Sequence, residues 1–263
     1  GKTPPCADLI IKKQIPRIVI GCQDPFSQVA GRGIQKLRDA GREVTVGVLE
    51  KECKHLIRRF ITFNTLHRPF ITLKWAESAD HFIDVERTDG NPVVLSSPLT
   101  SMLVHKKRAE TDAIMVGRRT ALLDNLTVRN WYGRNPVRIV LDCALSLPHS
   151  LRLFDGEVPT IVFTAEKHPD KKNVTYRTIE FTQDILPQIM KVLYQQKIQS
   201  LLVEGGSQLL QSFIDAELWD EVYIEKCPCK LNSGVKAPEI SDNFSYSTEE
   251  HFDRQIWHYV FEK

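Results

Sequence analysis

Leu201-Leu202-Val203-Glu204-Gly205-Gly206-Ser207 is the most informative segment of this 263-residue chain. The three apolar residues predict a buried strand, the two glycines a tight turn, and Ser207 the start of a helix. Glycine lets another backbone or a phosphate come close, and free N–H groups at a helix N-terminus favour an anion. Glu204 adds a carboxylate at the carboxyl end of the strand, where α/β proteins place their ligands. The segment predicts a ligand site, with a plain tight turn as the alternative.

A second segment, Ile114-Met115-Val116-Gly117-Arg118-Arg119-Thr120, repeats this arrangement. A strand ends at a glycine, and two cations and a hydroxyl open the next helix. Two such turns on one sheet could hold a diphosphate. The alternative for Arg118 and Arg119 is a solvated helix face.

Lys74 lies inside the apolar strand Phe70 to Trp75. An unpaired ammonium is costly to bury, so Lys74 should meet a carboxylate or a ligand oxygen.

Strand and helix patterns alternate along the whole chain, which predicts an α/β fold with parallel strand pairing. The His67-Arg68-Pro69 break ends a helix, so we predict domains at 1–66 and 67–263. In the first domain the pattern predicts strands at 17–22 and 42–49 and helices at 33–40 and 50–63. In the second it predicts strands at 70–75, 112–117, 137–142, 159–164, 200–204 and 221–226, a strand pair near 251–262, and helices at 98–108, 118–123, 184–196 and 206–216.

The charge balance and the hydropathy of the chain exclude several functions. Lys and Arg number 35 against 33 Asp and Glu, so the net charge of +2 provides no field that would attract nucleic acid or an anionic membrane. An anionic ligand must therefore be held by locally placed cations. No apolar run approaches the roughly 20 residues of a membrane span, and the start of the chain shows no signal-peptide pattern. We expect a cytoplasmic protein.

The six cysteines are spread along a chain long enough to build its own core, which favours reduced thiols over a disulfide framework. Cys227-Pro228-Cys229 has one residue between the two thiols, fewer than common zinc hairpins have, so we do not expect a metal there.

Four segments taken in order resemble one enzyme family: Gly1-Lys-Thr-Pro-Pro-Cys6-Ala-Asp8, Arg68-Pro-Phe-Ile-Thr-Leu-Lys74, Leu126-Thr-Val-Arg129 and Val203-Glu-Gly-Gly-Ser207. Their order and spacing are similar to those of the bifunctional riboflavin-biosynthesis deaminase/reductase. The resemblance implies that residues 1–66 form the C-terminal half of a cytidine-deaminase-like α/β domain. It also implies that residues 67–263 form a complete reductase domain with a dihydrofolate-reductase-like fold.

The resemblance implies a reaction as well. The reductase uses NADPH to convert the ribosyl side chain of 5-amino-6-(5-phosphoribosylamino)uracil to the ribityl form, with the hydride added to C1′. The intact parent protein would also deaminate the pyrimidine precursor with zinc. The expected partner is a small phosphorylated pyrimidine, with neither nucleic acid nor a membrane involved, and a homo-oligomer is expected.

Site residues follow from the same resemblance. Lys74, Glu204 and Asp80 match catalytic positions, the first two suited to steadying or protonating the opened sugar imine. Substrate contacts match Glu204, Arg108, Arg129 and the backbone at Leu126, the last three around the phosphate. Cofactor contacts match Ala76, Val94, Arg118, Thr120, Asp124, Cys143, Gly205, Gly206 and Ser207.

The chain departs from the family pattern at several of these positions. His81 follows Asp80 where the family has a turn glycine, Pro92 replaces a serine near the substrate phosphate, and Val94 replaces a tryptophan at the cofactor. The loop at 124–127 is two residues shorter than usual.

Cys6 matches one thiol of the deaminase metal motif, whose histidine, glutamate and first cysteine would precede Gly1. A single thiolate cannot make a catalytic zinc site. We therefore expect residues 1–263 to act as a reductase without zinc. The alternatives are a pyrimidine deaminase whose other half precedes this sequence, and a catalytically silent NADPH-binding or scaffolding subunit, suggested by His81 and Pro92.

Overall fold

The computed structural model describes residues 6–25, 31–87, 91–124 and 134–261. The chain divides into two units, Gly1–Arg68 and Pro69–Lys263. None of the helices within the described ranges has the length and apolarity needed to cross a membrane.

The first unit contains a pair of short parallel strands and four helices in its described part. The two strands pair in register from Arg17 opposite Glu43 to Ile20 opposite Val46, which confirms the parallel pairing predicted from the alternation. In chain order the elements are α1 (Cys6–Lys12), β1 (Arg17–Ile20), α2 (Arg32–Asp39), β2 (Glu43–Val46), α3 (Glu50–Leu56) and α4 (Arg58–Leu66).

The single helix predicted over residues 50–63 is wrong, because Ile57 separates α3 from α4. Ile57 leaves helical geometry with φ −101° and ψ 18°. The side chain of Arg58 turns back so that its Nη1 donates a hydrogen bond to the carbonyl of His55 at 2.9 Å. That carbonyl belongs to the last turn of α3, where carbonyls have no partner within the helix.

The second unit is built on a large mixed sheet, and every strand predicted for it by pattern is present. The described residues form nine strands in the order β12-β13-β10-β3-β9-β5-β6-β7-β8, parallel from β10 to β8 and antiparallel in the β10-β13-β12 portion. These strands are β3 (Phe70–Glu77), β5 (Ala113–Val116), β6 (Val137–Leu141), β7 (Thr160–Thr164), β8 (Val174–Thr178), β9 (Ser200–Glu204), β10 (Glu221–Lys226), β12 (Tyr246–His251) and β13 (Arg254–Val260), and a separate short pair joins β4 (Phe82–Asp84) to β11 (Val235–Lys236).

Helices cover both faces of the large sheet, and alternate residues of each strand pack on opposite faces. On one face, Leu201 and Val203 of β9 share a buried cluster with Leu193, Leu210 and Phe213 from two helices. We call this the α7/α8 face and the opposite one the α5 face. The helices of this unit are α5 (Pro98–Ala109), α6 (Arg118–Asp124), α7 (Ile185–Gln195) and α8 (Ser207–Asp215).

Candidate active site

Lys74 and Glu204 lie directly opposite each other on the neighbouring parallel strands β3 and β9. Register partners on adjacent strands project from the same face of a sheet, so both side chains lie on the α5 face. Each is mostly buried, with side-chain exposures of 16% and 9%. The fold therefore brings together two groups that are far apart in sequence and that the family resemblance matches to the reacting sugar.

Arg108 of α5 contacts Glu204 with two of its nitrogens. The Nε and Nη2 atoms lie 2.8 and 2.7 Å from Glu204 Oε2. Glu204 Oε1 is buried and has no hydrogen-bond partner within the described residues. A buried carboxylate oxygen normally has a partner, so a ligand is a candidate for the partner that Oε1 lacks among the described residues.

The partner of Lys74 is Glu225, whose Oε2 lies 3.7 Å from Lys74 Nζ. This confirms that the lysine meets a carboxylate. Sequence reasoning did not identify Glu225 as a site residue. No comparable indication is present in the sequence, because the strand at 221–226 has charged residues at both ends as well as at Glu225.

The two glycine turns predicted from separate parts of the sequence come together where β9 and β5 end. Gly205 and Gly206 both have positive φ, at +75° and +80°. A Cβ on Gly205 would lie 2.8 Å from Thr120 Cγ2, and one on Gly206 would lie 3.9 Å from Gly117 Cα. Side chains at these two glycines would therefore fill the space between the turns, which suits the close approach of a ligand.

Most of the expected cofactor residues lie along this edge of the sheet, at the carboxyl ends of four adjacent strands. Ala76 is near the end of β3, Ser207 begins α8 after β9, and Cys143 follows β6 and is exposed. Arg118 and Arg119 follow β5 and are also exposed, with Arg118 Nη1 donating to Ser146 Oγ at 3.2 Å. Parallel sheets bind ligands at this edge.

Two other expected cofactor residues are placed differently. Asp124, the last residue of α6, accepts a hydrogen bond from Arg87 Nη1 at 2.7 Å. Val94, where the family has a tryptophan, is 78% exposed. Leu126 and Arg129, expected at the substrate phosphate, lie outside the described residues.

Asp80 ties its own turn to a distant loop. Its Oδ1 accepts hydrogen bonds from Ser78 Oγ at 2.6 Å and Leu231 N at 3.0 Å, and its Oδ2 accepts one from Asn232 N at 2.7 Å. The Ser78 hydroxyl, followed by the two backbone amides, lowers the pKa of Asp80 to about 2. His81, in place of the family's glycine, adopts φ +64° and keeps the turn. A direct role for Asp80 in the reaction stays a prediction.

The zinc remnant expected at Cys6 is not part of a metal-binding group in the part of the chain that the structure describes. Cys6 begins α1 and is exposed. No group of three or more His, Cys, Asp and Glu side chains in the described ranges is placed to hold a metal ion. These residues do not fit a catalytic zinc ion.

Comparison with known proteins identifies the family. The model of the RibD C-terminal domain family matches residues 69–231. The riboflavin biosynthesis protein RibD of Aquifex aeolicus is 34% identical over 247 residues, which is 91% of this chain and 69% of that protein. The RibD protein of Bacillus amyloliquefaciens is also 34% identical, over 91% of this chain and 67% of its own length. This chain belongs to the RibD family.

Solved structures confirm the fold of this RibD chain over both units. A Thermotoga maritima diaminohydroxyphosphoribosylaminopyrimidine deaminase/5-amino-6-(5-phosphoribosylamino)uracil reductase superposes with a TM-score of 0.87 at 34% identity, covering 99% of this chain and 75% of its own. For fold alone, the Saccharomyces reductase Rib7 gives a TM-score of 0.62 at 19% identity, over 80% of this chain and 99% of its own. The α/β class with a dihydrofolate-reductase-like reductase domain, expected from the sequence, is confirmed.

Proposed function

We propose that this RibD chain reduces the ribosyl side chain of 5-amino-6-(5-phosphoribosylamino)uracil to the ribityl form with NADPH, a step of riboflavin biosynthesis. The observation that carries the proposal is the juxtaposition of Lys74 and Glu204 beside the Gly205-Gly206 turn. The Thermotoga relative, named for this reductase activity, adds support.

In this proposal a residue of the chain donates the proton and the cofactor supplies the hydride. NADPH, when bound, delivers a hydride to C1′. The opened sugar is an imine, and adding a hydride to C1′ and a proton to the nitrogen gives the ribitylamine. Glu204 provides that proton, and Arg108 fixes its other oxygen so that Oε1 keeps one orientation. Lys74 donates hydrogen bonds to oxygens of the sugar.

The residues around the glycine turns fit the cofactor. Positive φ at Gly205 and Gly206 leaves the turn without side chains, and the nine-residue helix α8 presents free N–H groups to a diphosphate. The exposed guanidinium groups of Arg118 and Arg119 can pair with the 2′-phosphate that distinguishes NADPH from NADH.

Several finer assignments belong to the same proposal. Residues 67–263 carry the reductase chemistry, and residues 1–66 correspond to part of a deaminase domain, whose zinc chemistry belongs to the intact parent protein. Arg108, Arg129 and the backbone at Leu126 hold the substrate phosphate. Because Arg108 pairs with Glu204 here, it would have to serve both groups. The partner is a small phosphorylated pyrimidine, and the chain forms a homo-oligomer.

Steady-state assays with NADPH and the aminopyrimidine phosphate test the proposal. The purified chain should consume NADPH and release the ribityl product, identified by mass spectrometry. Glu204→Gln keeps the shape and hydrogen bonding but removes the ionisable proton, so kcat should fall by about 10²-fold with little change in KM. Glu221→Gln, on another strand of the same face, is the matched control and should keep its kcat.

Two results would contradict the proposal. NADPH binding without turnover in the unaltered chain would support the silent binding subunit instead. A near-normal kcat in Glu204→Gln would show that Glu204 only positions the substrate and that another group supplies the proton.

A further inference from the structure

Glu225 is a buried carboxylate that the reaction described above does not use. It lies on β10 and is 1% exposed. β10 pairs in parallel with β3, with Tyr223 opposite Lys74 and Glu225 opposite Ala76, so Glu225 shares the α5 face with Lys74 and Glu204. A charged group this deep in a sheet is costly unless it is fully compensated.

Two hydroxyl groups fix the carboxylate of Glu225. Ser96 Oγ donates to Oε2 at 2.6 Å, and Thr100 Oγ1 donates to Oε1 at 2.6 Å. These lengths are typical of hydrogen bonds from a hydroxyl to an ionised carboxylate. Thr100 lies in the first turn of α5, which Ser97 caps by accepting a hydrogen bond from Thr100 N. The carboxylate is thus anchored on both oxygens by the start of α5.

This arrangement places a negative charge near Lys74, but Lys74 donates no hydrogen bond to Glu225. Its Nζ is 3.7 Å from Glu225 Oε2, beyond hydrogen-bond distance, and it makes no hydrogen bond to another described residue. An ammonium carries three donors, and no described residue accepts a hydrogen bond from any of them, while Glu225 compensates the charge.

The other cation near Glu225 is already compensated elsewhere. Arg254 Nε lies 3.8 Å from Glu225 Oε1, but Arg254 Nη1 binds Asp253 Oδ2 at 2.7 Å. The Nε atom also donates to the carbonyl of Leu95 at 3.4 Å. Among the described residues, Glu225 is the one carboxylate within 4.0 Å of Lys74 Nζ, while Glu204, its register partner, pairs with Arg108. Lys74 therefore depends on Glu225 for charge compensation more than Arg254 does.

We propose that Glu225 is a positioning residue for the reductase reaction: the carboxylate, anchored by Ser96 and Thr100, holds the Lys74 ammonium in place beside the sugar of the substrate. This inference rests on the proposed function, because it requires Lys74 to contact the sugar. Glu225 itself is too deeply buried to touch the substrate and acts through Lys74.

A double-mutant cycle tests the proposal. Glu225→Gln removes the negative charge beside the Lys74 ammonium, so the single-turnover rate of NADPH oxidation should fall by about 10- to 100-fold. Binding of the reduced product, measured by calorimetry without NADPH, should weaken by less than about threefold, because the loss falls on the transition state. In a Lys74→Met background, Glu225→Gln should lower the rate by no more than about twofold. Glu225→Asp, which keeps the charge, should recover part of the rate.

Glu221→Gln is the matched control, since Glu221 is a buried glutamate of the same strand and face. It should leave the rate unchanged, and thermal unfolding of every variant checks that it is folded. An equal rate loss from Glu225→Gln with and without Lys74 would make the role purely structural and overturn the inference. So would a normal rate in Glu225→Gln. If the unaltered chain does not oxidise NADPH with this substrate, the proposed function fails, and the inference fails with it.

Discussion

The carboxylate of Asp80 is held by hydrogen bonds from its own turn and from a second loop. Three donors occupy its two oxygens, and they come from two loops far apart in sequence. Donors to the ionised form favour that form, so the pKa of Asp80 is lowered from 3.8 to about 2. The same contacts that hold the turn also make its stability depend on pH.

We predict that the contribution of Asp80 to stability is lost in acid. A carboxyl group whose pKa is lowered in the folded state stabilises the fold fully above its unfolded pKa, and less as the pH falls towards its folded pKa. The window for Asp80 runs from 3.8 down to about 2. Urea unfolding of the unaltered chain and of Asp80→Asn should differ most above this window and converge within it. A difference that stays constant through the window would contradict the prediction.

The contacts of Lys74 show why the site was only partly predictable from the sequence. A lysine inside an apolar strand needs a negative partner wherever the strand lies, so the need of Lys74 for a carboxylate or ligand oxygen was visible in the sequence. The identity of the partner was not, because Glu225 approaches only through the register of β10 on β3. The residues next to Glu225 in the sequence do not indicate that β10 pairs with β3.

The turn between β9 and α8 is the element on which the cofactor assignment depends. Gly205 and Gly206 both have positive φ, but their surroundings differ. A Cβ on Gly205 would lie 2.8 Å from Thr120 Cγ2, whereas one on Gly206 would find its nearest atom, Thr120 Oγ1, at 3.5 Å. Two neighbouring alanine substitutions therefore separate the cost of backbone geometry from the cost of a clash.

We predict that Gly206→Ala destabilises by about 1–3 kcal/mol, the cost of a positive φ outside the common regions at a residue with a Cβ. Gly205→Ala should cost more, because the clash with Thr120 adds to the same backbone term. Thr120→Ser removes the clashing Cγ2 but keeps Oγ1 at 3.3 Å, so it should recover most of the additional loss in Gly205→Ala. The free energy of unfolding in urea measures all of these. Equal losses in the two single variants would show that Thr120 does not constrain the turn.

The turn after β5 should set the choice of cofactor. Arg118 and Arg119 are exposed at the start of α6, and a 2′-phosphate adds charge that guanidinium groups bind. We predict that the chain binds NADPH more tightly than NADH, and that Arg118→Ala or Arg119→Ala weakens NADPH more than NADH. Dissociation constants for both cofactors at moderate salt measure this. A ratio unchanged by either substitution would identify both arginines as solvated surface residues.

Across the whole molecule, the strands with continuous apolar sequence were the most directly predictable. β5, β7 and β9 are buried along their full length, and their sequences show it. β8 was missed because its five residues, Val-Thr-Tyr-Arg-Thr, include only two apolar ones, too few to stand out as a strand. The strand order was not predictable at all, since β3 lies between β10 and β9, which follow it by more than a hundred residues.

The two units differ in how much of their structure is protected from solvent. In the first unit, β1 and β2 form an isolated parallel pair within the described residues, and no residue of either strand is fully buried. In the second unit, β9 lies between β3 and β5, and every residue of β9 is buried. Isolated two-strand pairs are marginal in water, whereas central strands open only with the whole domain.

We therefore predict that native-state hydrogen exchange separates the two units. The hydrogen-bonded amides of β1 and β2 should exchange at least about 100-fold faster than those of β9, because their bonds break by local opening rather than by global unfolding. Exchange followed by mass spectrometry of peptides from both regions measures this, and β6, which is also paired on both sides, is the internal standard. If NADPH binds at the β9–α8 turn, its addition should slow exchange in the second unit by stabilising that fold. Protection in β1 and β2 equal to that of β9 would mean that the units unfold as one, whatever the burial of their strands.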